Sequence, residues 1–252
     1  MSALSPPHAP IRHAEPLAEG QEIELDALAV RGLLFRKINP KEAFTIEDAS
    51  GAFFRASLRA LDGERGRALV YERMRGSPES PARITLVCSI LQRQRMIFVV
   101  QKATELGCVR IVPAYTEKSV RPRDLDHEKP WAWPGQALKG ARQCRRASVP
   151  EVLPAQPLDR VLASPLWRDA TLRFFMDDRK AGDARALPDA PPPGPCDVVL
   201  AVGPEGGWSD AEAERLASRG AKSLAWGTRV LRAETAVLAG LSVLQHRLGD
   251  LR

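Results

Sequence analysis

Apolar and polar positions alternate with two different periods along this chain. In QEIEL, Ile23 and Leu25 fall on one face of an extended segment; AFTIED does the same with Phe44 and Ile46, and EDASGAFFRASL reads as a hairpin turning at Ser50-Gly51. RALVYER adds a further strand. Residues 11 to about 75 are therefore predicted to form a small β-barrel or sandwich with little helix. Proline, glycine and serine then gather in RGSPESPAR, Arg75 to Arg83, as in a linker. This places one domain at 1–75 and a second at 76–252.

Beyond the linker, strands and helices take turns. RITLVCSI is an unbroken apolar strand, and RMIFVVQKATELG spaces Met96, Val99, Val100, Ala103 and Leu106 as a helix closed by Gly107. CVRIVPAY is the next strand, GQALKGARQCRR a helix, RFFMD a strand, ALPDAPPPGPC a loop and DVVLAV a strand. A helix opening on the Ser209/Glu212 capping box runs to Gly220; AKSLAWG supplies a short strand and ETAVLAGLSVLQHRLG a final helix. This order predicts an open, mostly parallel sheet with helices on both faces. The last helix is apolar nearly all round from Ala236 to Leu244, so it must be buried in the core or against a second subunit.

Two loops stand out chemically. GPEGG, Gly203 to Gly207, follows an apolar strand, and in an open α/β sheet ligands bind beyond the carboxyl ends of the strands. Its spacing fits neither the dinucleotide fingerprint nor a P-loop, and Glu205 opposes a phosphate while suiting a cationic or neutral group. The second loop, WGTRVLRAETA, puts Arg232 and Glu234 at the mouth of an apolar helix, where charges are usually paired or functional.

Charge sharpens the picture. The chain has 37 Lys+Arg and 31 Asp+Glu in 252 residues, and the first 75 residues are balanced, so the net +6 lies beyond residue 75. A basic second half suits a polyanion partner such as RNA. Lys118, Arg121 and Arg123 follow a strand, Arg93 and Arg95 flank a loop, and Arg142, Arg145 and Arg146 cluster at a helix end; these groups are the candidates for phosphate contact. Cys88, Cys108, Cys144 and Cys196 lack metal or disulfide spacing, as do His8, His13, His127 and His246, so reduced thiols and no metal are expected. No stretch is apolar enough to span a membrane and the start lacks a secretory signal, so a cytoplasmic protein is expected.

RMIFVVQKATELG, AVGPEGGWSDAEAE and GTRVLRAETAVLAGLSVLQ, in that order, resemble the RsmE family, bacterial methyltransferases acting on a uridine N3 of small-subunit ribosomal RNA. The resemblance covers most of residues 83–249 and reaches faintly into the first 75. It implies an α/β SPOUT methyltransferase domain with a C-terminal trefoil knot, a preceding PUA-like β-barrel that binds RNA, S-adenosylmethionine as cofactor, and a homodimer. It also implies a cofactor pocket with three walls, near Phe175 to Asp177, at Gly203 to Gly207 and over Leu224 to Leu231, with Phe175, Met176, Val202, Gly203, Pro204, Glu205, Gly206, Gly207, Leu224, Gly227, Val230, Leu231 and Thr235 as cofactor residues. Bare glycine amides there can bond an adenine edge, with Leu224, Val230 and Leu231 as its apolar bed. Arg232 is the candidate catalytic group, stabilising a uracil imide anion, with water or Glu234 assisting deprotonation; Glu234 could equally be structural, anchoring the loop through backbone amides.

The chain departs from the family where relatives usually carry Lys-Gly-Asp-Arg-Met and it has Gln92-Arg93-Gln94-Arg95-Met96. Arg142-Gln143-Cys144-Arg145-Arg146 replaces Glu-Gln-Cys-Gly-Arg, Ala233 replaces a threonine, and Pro134 is expected to interrupt a helix that is normally continuous. These changes lie on the substrate side. One rival reading is a non-catalytic RNA-binding factor on the same scaffold; another, a nucleotide-dependent α/β enzyme, lacks its phosphate loop.

Overall fold

The structure, a computed structural model, describes residues 7–177, 187–188, 192, 194, 196–225 and 228–251. The chain divides into two compact units, Ser2–Glu79 with Leu138–Pro150, and Ser80–Ala137 with Glu151–Arg252.

In the first unit, β1 (Ile11–Arg12), β2 (Glu22–Leu25), β3 (Ala43–Glu47), β4 (Phe53–Asp62) and β5 (Arg65–Arg73) form one sheet in the order β1-β3-β4-β5-β2. Only the β1–β3 pair is parallel. The predicted hairpin is present between β3 and β4, and the Asp48 carboxylate ties its turn by accepting from the backbone N–H groups of Ser50 and Ala52. One stretch of the expected all-strand region is instead a helix, α1 (Ala27–Phe35). Asp26 caps it, accepting from the Ala29 N–H at 2.8 Å, and Ala29, Val30 and Leu33 go into the core. The run ALAVRGLLF is apolar at almost every position, which hides the helical period from inspection.

Residues 138–150 join this unit through buried polar contacts. Arg36 donates to the carbonyl of Ala147 at 2.9 Å, the Thr45 hydroxyl donates to that of Arg145 at 2.9 Å, and Arg146 pairs with Glu79.

The second unit is built on a sheet of β6 (Ala82–Ser89), β7 (Arg110–Tyr115), β8 (Glu151–Val152), β9 (Gln156–Pro157), β10 (Leu172–Met176), β11 (Cys196–Val202) and β12 (Lys222–Leu224). Its order is β12-β10-β11-β6-β7-β8, with β9 also on β7, and every pairing is parallel. Its helices are α2 (Arg93–Glu105), the start of α3 (Trp133–Gln143), whose residues from Leu138 onward belong to the first unit, α4 (Leu158–Ala163), α5 (Pro165–Arg168), α6 (Asp210–Ser218) and α7 (Ala233–Leu248). Strand alternation sorts the sheet into two apolar layers. On β11, Val198, Leu200 and Val202 face the layer that holds Met96 and Val100 of α2 and Val237 and Leu241 of α7. Val199 and Ala201 face the opposite layer with Val161 of α4 and Leu216 of α6. Pro134 does not break α3: it sits in the first turn, where a missing N–H costs nothing. The proline-rich loop predicted after Arg185 falls mostly outside the described residues.

Candidate functional site

Three neighbouring parallel strands end together. Met176 closes β10, Val202 closes β11 and Leu224 closes β12, and all three line one cavity of about 320 Å³. This is where an open α/β sheet presents a ligand site, and the size lies within the range of roughly 300–1,000 Å³ usual for small-molecule pockets.

The glycine corner forms one wall. After Val202, the Gly207 N–H donates to the Pro204 carbonyl at 2.9 Å, closing a tight turn in which Gly207 has φ +66. Trp208 then turns back beneath the loop: its indole N–H donates to the Met176 carbonyl at 2.7 Å, and the residue is 2% exposed. The predicted capping box follows, with Glu212 accepting from the Ser209 N–H at 3.0 Å and Ser209 accepting from the Glu212 N–H at 3.2 Å. The other oxygen of Glu212 accepts from the Glu117 N–H at 2.9 Å, tying the corner to the loop after β7.

Of the predicted cofactor residues, Met176, Val202, Gly203, Pro204, Glu205, Gly207, Leu224, Val230 and Leu231 line the cavity. Phe175 does not, because the strand's period of two sends its side chain into the opposite layer with Val199 and Ala201. Gly206 faces Lys118, whose Nζ donates to the Gly206 carbonyl at 3.0 Å, and Thr235 is exposed on α7. Gly227 lies outside the described residues. Asp177 and, in the segment Leu224 to Leu231, Ala225, Thr228 and Arg229 line the cavity too, within the walls the resemblance implies; Trp208, Ala233 and Ala236 also line it and lie outside those walls. Trp208 adjoins the glycine corner in sequence, which is the one signal that points to it.

An arginine spans two sides of the site. Arg95, in the first turn of α2, pairs with Glu205 of the glycine corner and lies 3.9 Å from Glu234 of α7. The second oxygen of Glu234 is buried with no hydrogen-bond partner. Arg232 is the N-cap of α7; its backbone carbonyl accepts from Ala236, while its side chain is exposed and does not line the cavity.

The remaining predicted RNA contacts differ in availability. Arg93 is exposed, Lys118 is held against the glycine corner, and Arg121 pairs with Asp124 at 3.2 Å. In the first unit, Arg142 pairs with Glu42 at 2.8 Å and Arg145 lies 3.9 Å from Glu72. Arg146 is buried, bonding Glu79 at 2.5 Å and Ser148 at 2.9 Å, so its charge is turned inward. Burial alone would raise the Glu79 carboxyl, but the Arg146 charge and the bonds from Arg146 and Ser148 outweigh it and hold the group below its ordinary value. Burial pushes the Cys88 thiol up to about 12. Among the described residues no cluster of His, Cys, Asp or Glu could hold a metal, and no helix is long and apolar enough to cross a membrane.

Residues 78–245 match the model of the RNA methyltransferase domain family. The chain is 27% identical over 203 residues to the ribosomal RNA small subunit methyltransferase E of Bacillus subtilis (strain 168), covering 79% of each. It superposes with a TM-score of 0.68 on the crystal structure of a ribosomal RNA small subunit methyltransferase E from Neisseria gonorrhoeae bound to S-adenosyl methionine. That protein is 31% identical, with 97% of this chain and 100% of that one covered. A putative methyltransferase from Legionella pneumophila in complex with the same cofactor is 30% identical, with a TM-score of 0.65 over 96% of this chain and 99% of that one.

Proposed function

This chain belongs to the ribosomal RNA small subunit methyltransferase E family, and from that premise we propose that it methylates N3 of a uridine in small-subunit ribosomal RNA. It is an S-adenosylmethionine-dependent ribosomal RNA methyltransferase. The observation that carries the reading is the cavity at the ends of β10, β11 and β12, with a wall of side-chain-free residues at Gly203 and Gly207. No phosphate loop is needed there, because this cofactor has no phosphate.

When bound, S-adenosylmethionine supplies an electrophilic methyl group on a sulfonium. The chain's own residues do the rest. Gly203 and Gly207 let backbone amides approach a ligand closely, Leu224, Val230 and Leu231 give an apolar surface, and the acidic Glu205 and Asp177 suit a cationic one. Uridine N3 keeps its proton at neutral pH and must lose it before it attacks. In this reading water or Glu234, which stands in the first turn of α7 and does not itself line the cavity, assists that deprotonation. The Arg232 guanidinium, exposed at the start of α7, stabilises the negative charge developing on the uracil imide. Holding the two reactants in line supplies much of the remaining acceleration.

The C-terminal trefoil knot belongs to the same reading, supported by β12 lying outside β10 while the following helix α7 returns to pack on β11, β6 and α2. The PUA-like character of the first unit and a homodimer rest on the family resemblance. Mapping modified nucleosides of 16S ribosomal RNA in cells with and without the gene tests the activity. Loss of one 3-methyluridine is the expected result, and an unchanged modification pattern overturns it.

A further inference from the structure

We propose that the first unit carries a phosphate-binding recess built around Arg55, which takes one phosphodiester group of the RNA. The choice of RNA as the source of that phosphate rests on the activity proposed above; the place of the recess rests on geometry. Arg55 of β4 pairs in register with Thr45 of β3, so the two side chains share a face of the sheet. An Arg55 Nη donates to the Thr45 hydroxyl at 2.7 Å, and that hydroxyl donates onward to the Arg145 carbonyl at 2.9 Å. The residue is only 8% exposed, and its Nε is buried with no hydrogen-bond partner. No ion pair among the described residues includes it.

A guanidinium keeps its charge at any ordinary pH, and burying one without a counter-charge is strongly unfavourable. The other arginines around it are engaged. Arg146 pairs with Glu79, Arg142 with Glu42, and Arg36 donates to the carbonyls of Gly32 and Ala147. Arg145 stands at the edge, 3.9 Å from Glu72, and its backbone is held in the left-handed region at φ +61. All five arginines line one recess of about 20 Å³, and among the described residues that line it there is no carboxylate; Glu72, the register partner of Arg55 on β5, stands outside it. That is room for one oxygen atom. A phosphate oxygen is the matching ligand: it brings an acceptor and a negative charge to a buried Nε that has no partner, and a planar guanidinium fork recognises it well.

Full-length wild type, Arg55→Gln and Arg55→Lys are compared with a labelled fragment of small-subunit ribosomal RNA over a range of salt concentrations. Arg55→Gln is expected to bind about tenfold more weakly, with a slope of log affinity against log salt shallower by about 0.7 to 1. Arg55→Lys keeps the slope. Unchanged affinity and slope in Arg55→Gln overturn the proposal. A melting temperature raised by inorganic phosphate in wild type but not in Arg55→Gln, with the RNA slope unchanged, makes the recess a free-anion site and overturns the assignment to RNA. If Arg55→Gln does not fold, Arg145→Gly removes the guanidinium at the edge from a backbone already in glycine's conformation, and an unchanged slope there overturns the proposal equally. Failure of the methyltransferase reading shows separately, as no binding of S-adenosylmethionine to wild type by calorimetry.

Discussion

The ring of Trp208 lies against Gly203 so closely that a Cβ on Gly203 would stand 3.1 Å from Cε2 of the indole. The indole cannot retreat freely, since its N–H is committed to the Met176 carbonyl at 2.7 Å. The glycine corner, the end of β10 and the tryptophan beneath them therefore hold one another in place.

Gly203→Ala tests this. The added methyl must displace an aromatic ring in a buried position, an overpacking that costs about 1–3 kcal/mol. The variant should melt at lower temperature and bind S-adenosylmethionine at least tenfold more weakly by calorimetry. Binding equal to wild type would show that the corner yields without deforming the cavity.

Arg95 links Glu205 of the glycine corner to Glu234 of α7. Its side chain is 35% exposed, so solvent screens the pairs and each is worth about 0.2–1 kcal/mol. Arg95→Ala is expected to weaken cofactor binding by about two- to fivefold, and Arg95→Lys to recover part of it. A loss that disappears in high salt supports an ionic clamp; one insensitive to salt means that packing of the arginine stem is responsible.

Arg232 does not line the cavity, yet it stands at the start of α7 between two residues that do, Leu231 and Ala233. Arg232→Ala should leave the dissociation constant of S-adenosylmethionine close to wild type and lower turnover about 100-fold, as expected for one group facing a developing anion. Turnover near wild type in single-turnover methylation of ribosomal RNA removes Arg232 from the mechanism.

Glu79 gives the first unit a defined acid limit. Its folded value lies below the ordinary 4.5, so the pair with Arg146 contributes its full stability above that pH and loses it as pH falls through the lower folded value. Glu79→Gln removes the carboxylate that pairs with the 3% exposed Arg146 side chain and should cost about 3 kcal/mol at neutral pH. The pH dependence of its denaturant midpoint between pH 5 and 2 should flatten relative to wild type. A parallel acid limb in both proteins would mean that another carboxylate sets it.

Much of the second unit was legible because its signals are local. The apolar run before Gly203, the glycines of the corner, and Ser209 three residues before Glu212 each act within a turn or two, and all stand in the structure as the pattern predicts. Strand periodicity likewise separates Met176, which lines the cavity, from Phe175, which does not, although the resemblance had grouped them. The helix α1 was missed because a helix and a strand look alike in a continuously apolar segment.

By itself, then, the sequence determined the parallel sheet, the glycine corner and the capped helix after it, since hydrophobic period, glycine and capping side chains act between near neighbours. Only the tertiary structure decided which polar groups are buried and with what. Arg36 meets Ala147 across 111 residues, Arg146 meets Glu79 across 67, and Trp208 reaches Met176 across 32. It also drew residues 138–150 into the first unit and left Arg55 buried with its Nε unpartnered. The physical reason is the same in each case: an arginine or an indole looks alike in sequence wherever it stands, and its cost or benefit is fixed only by the partners that folding brings to it.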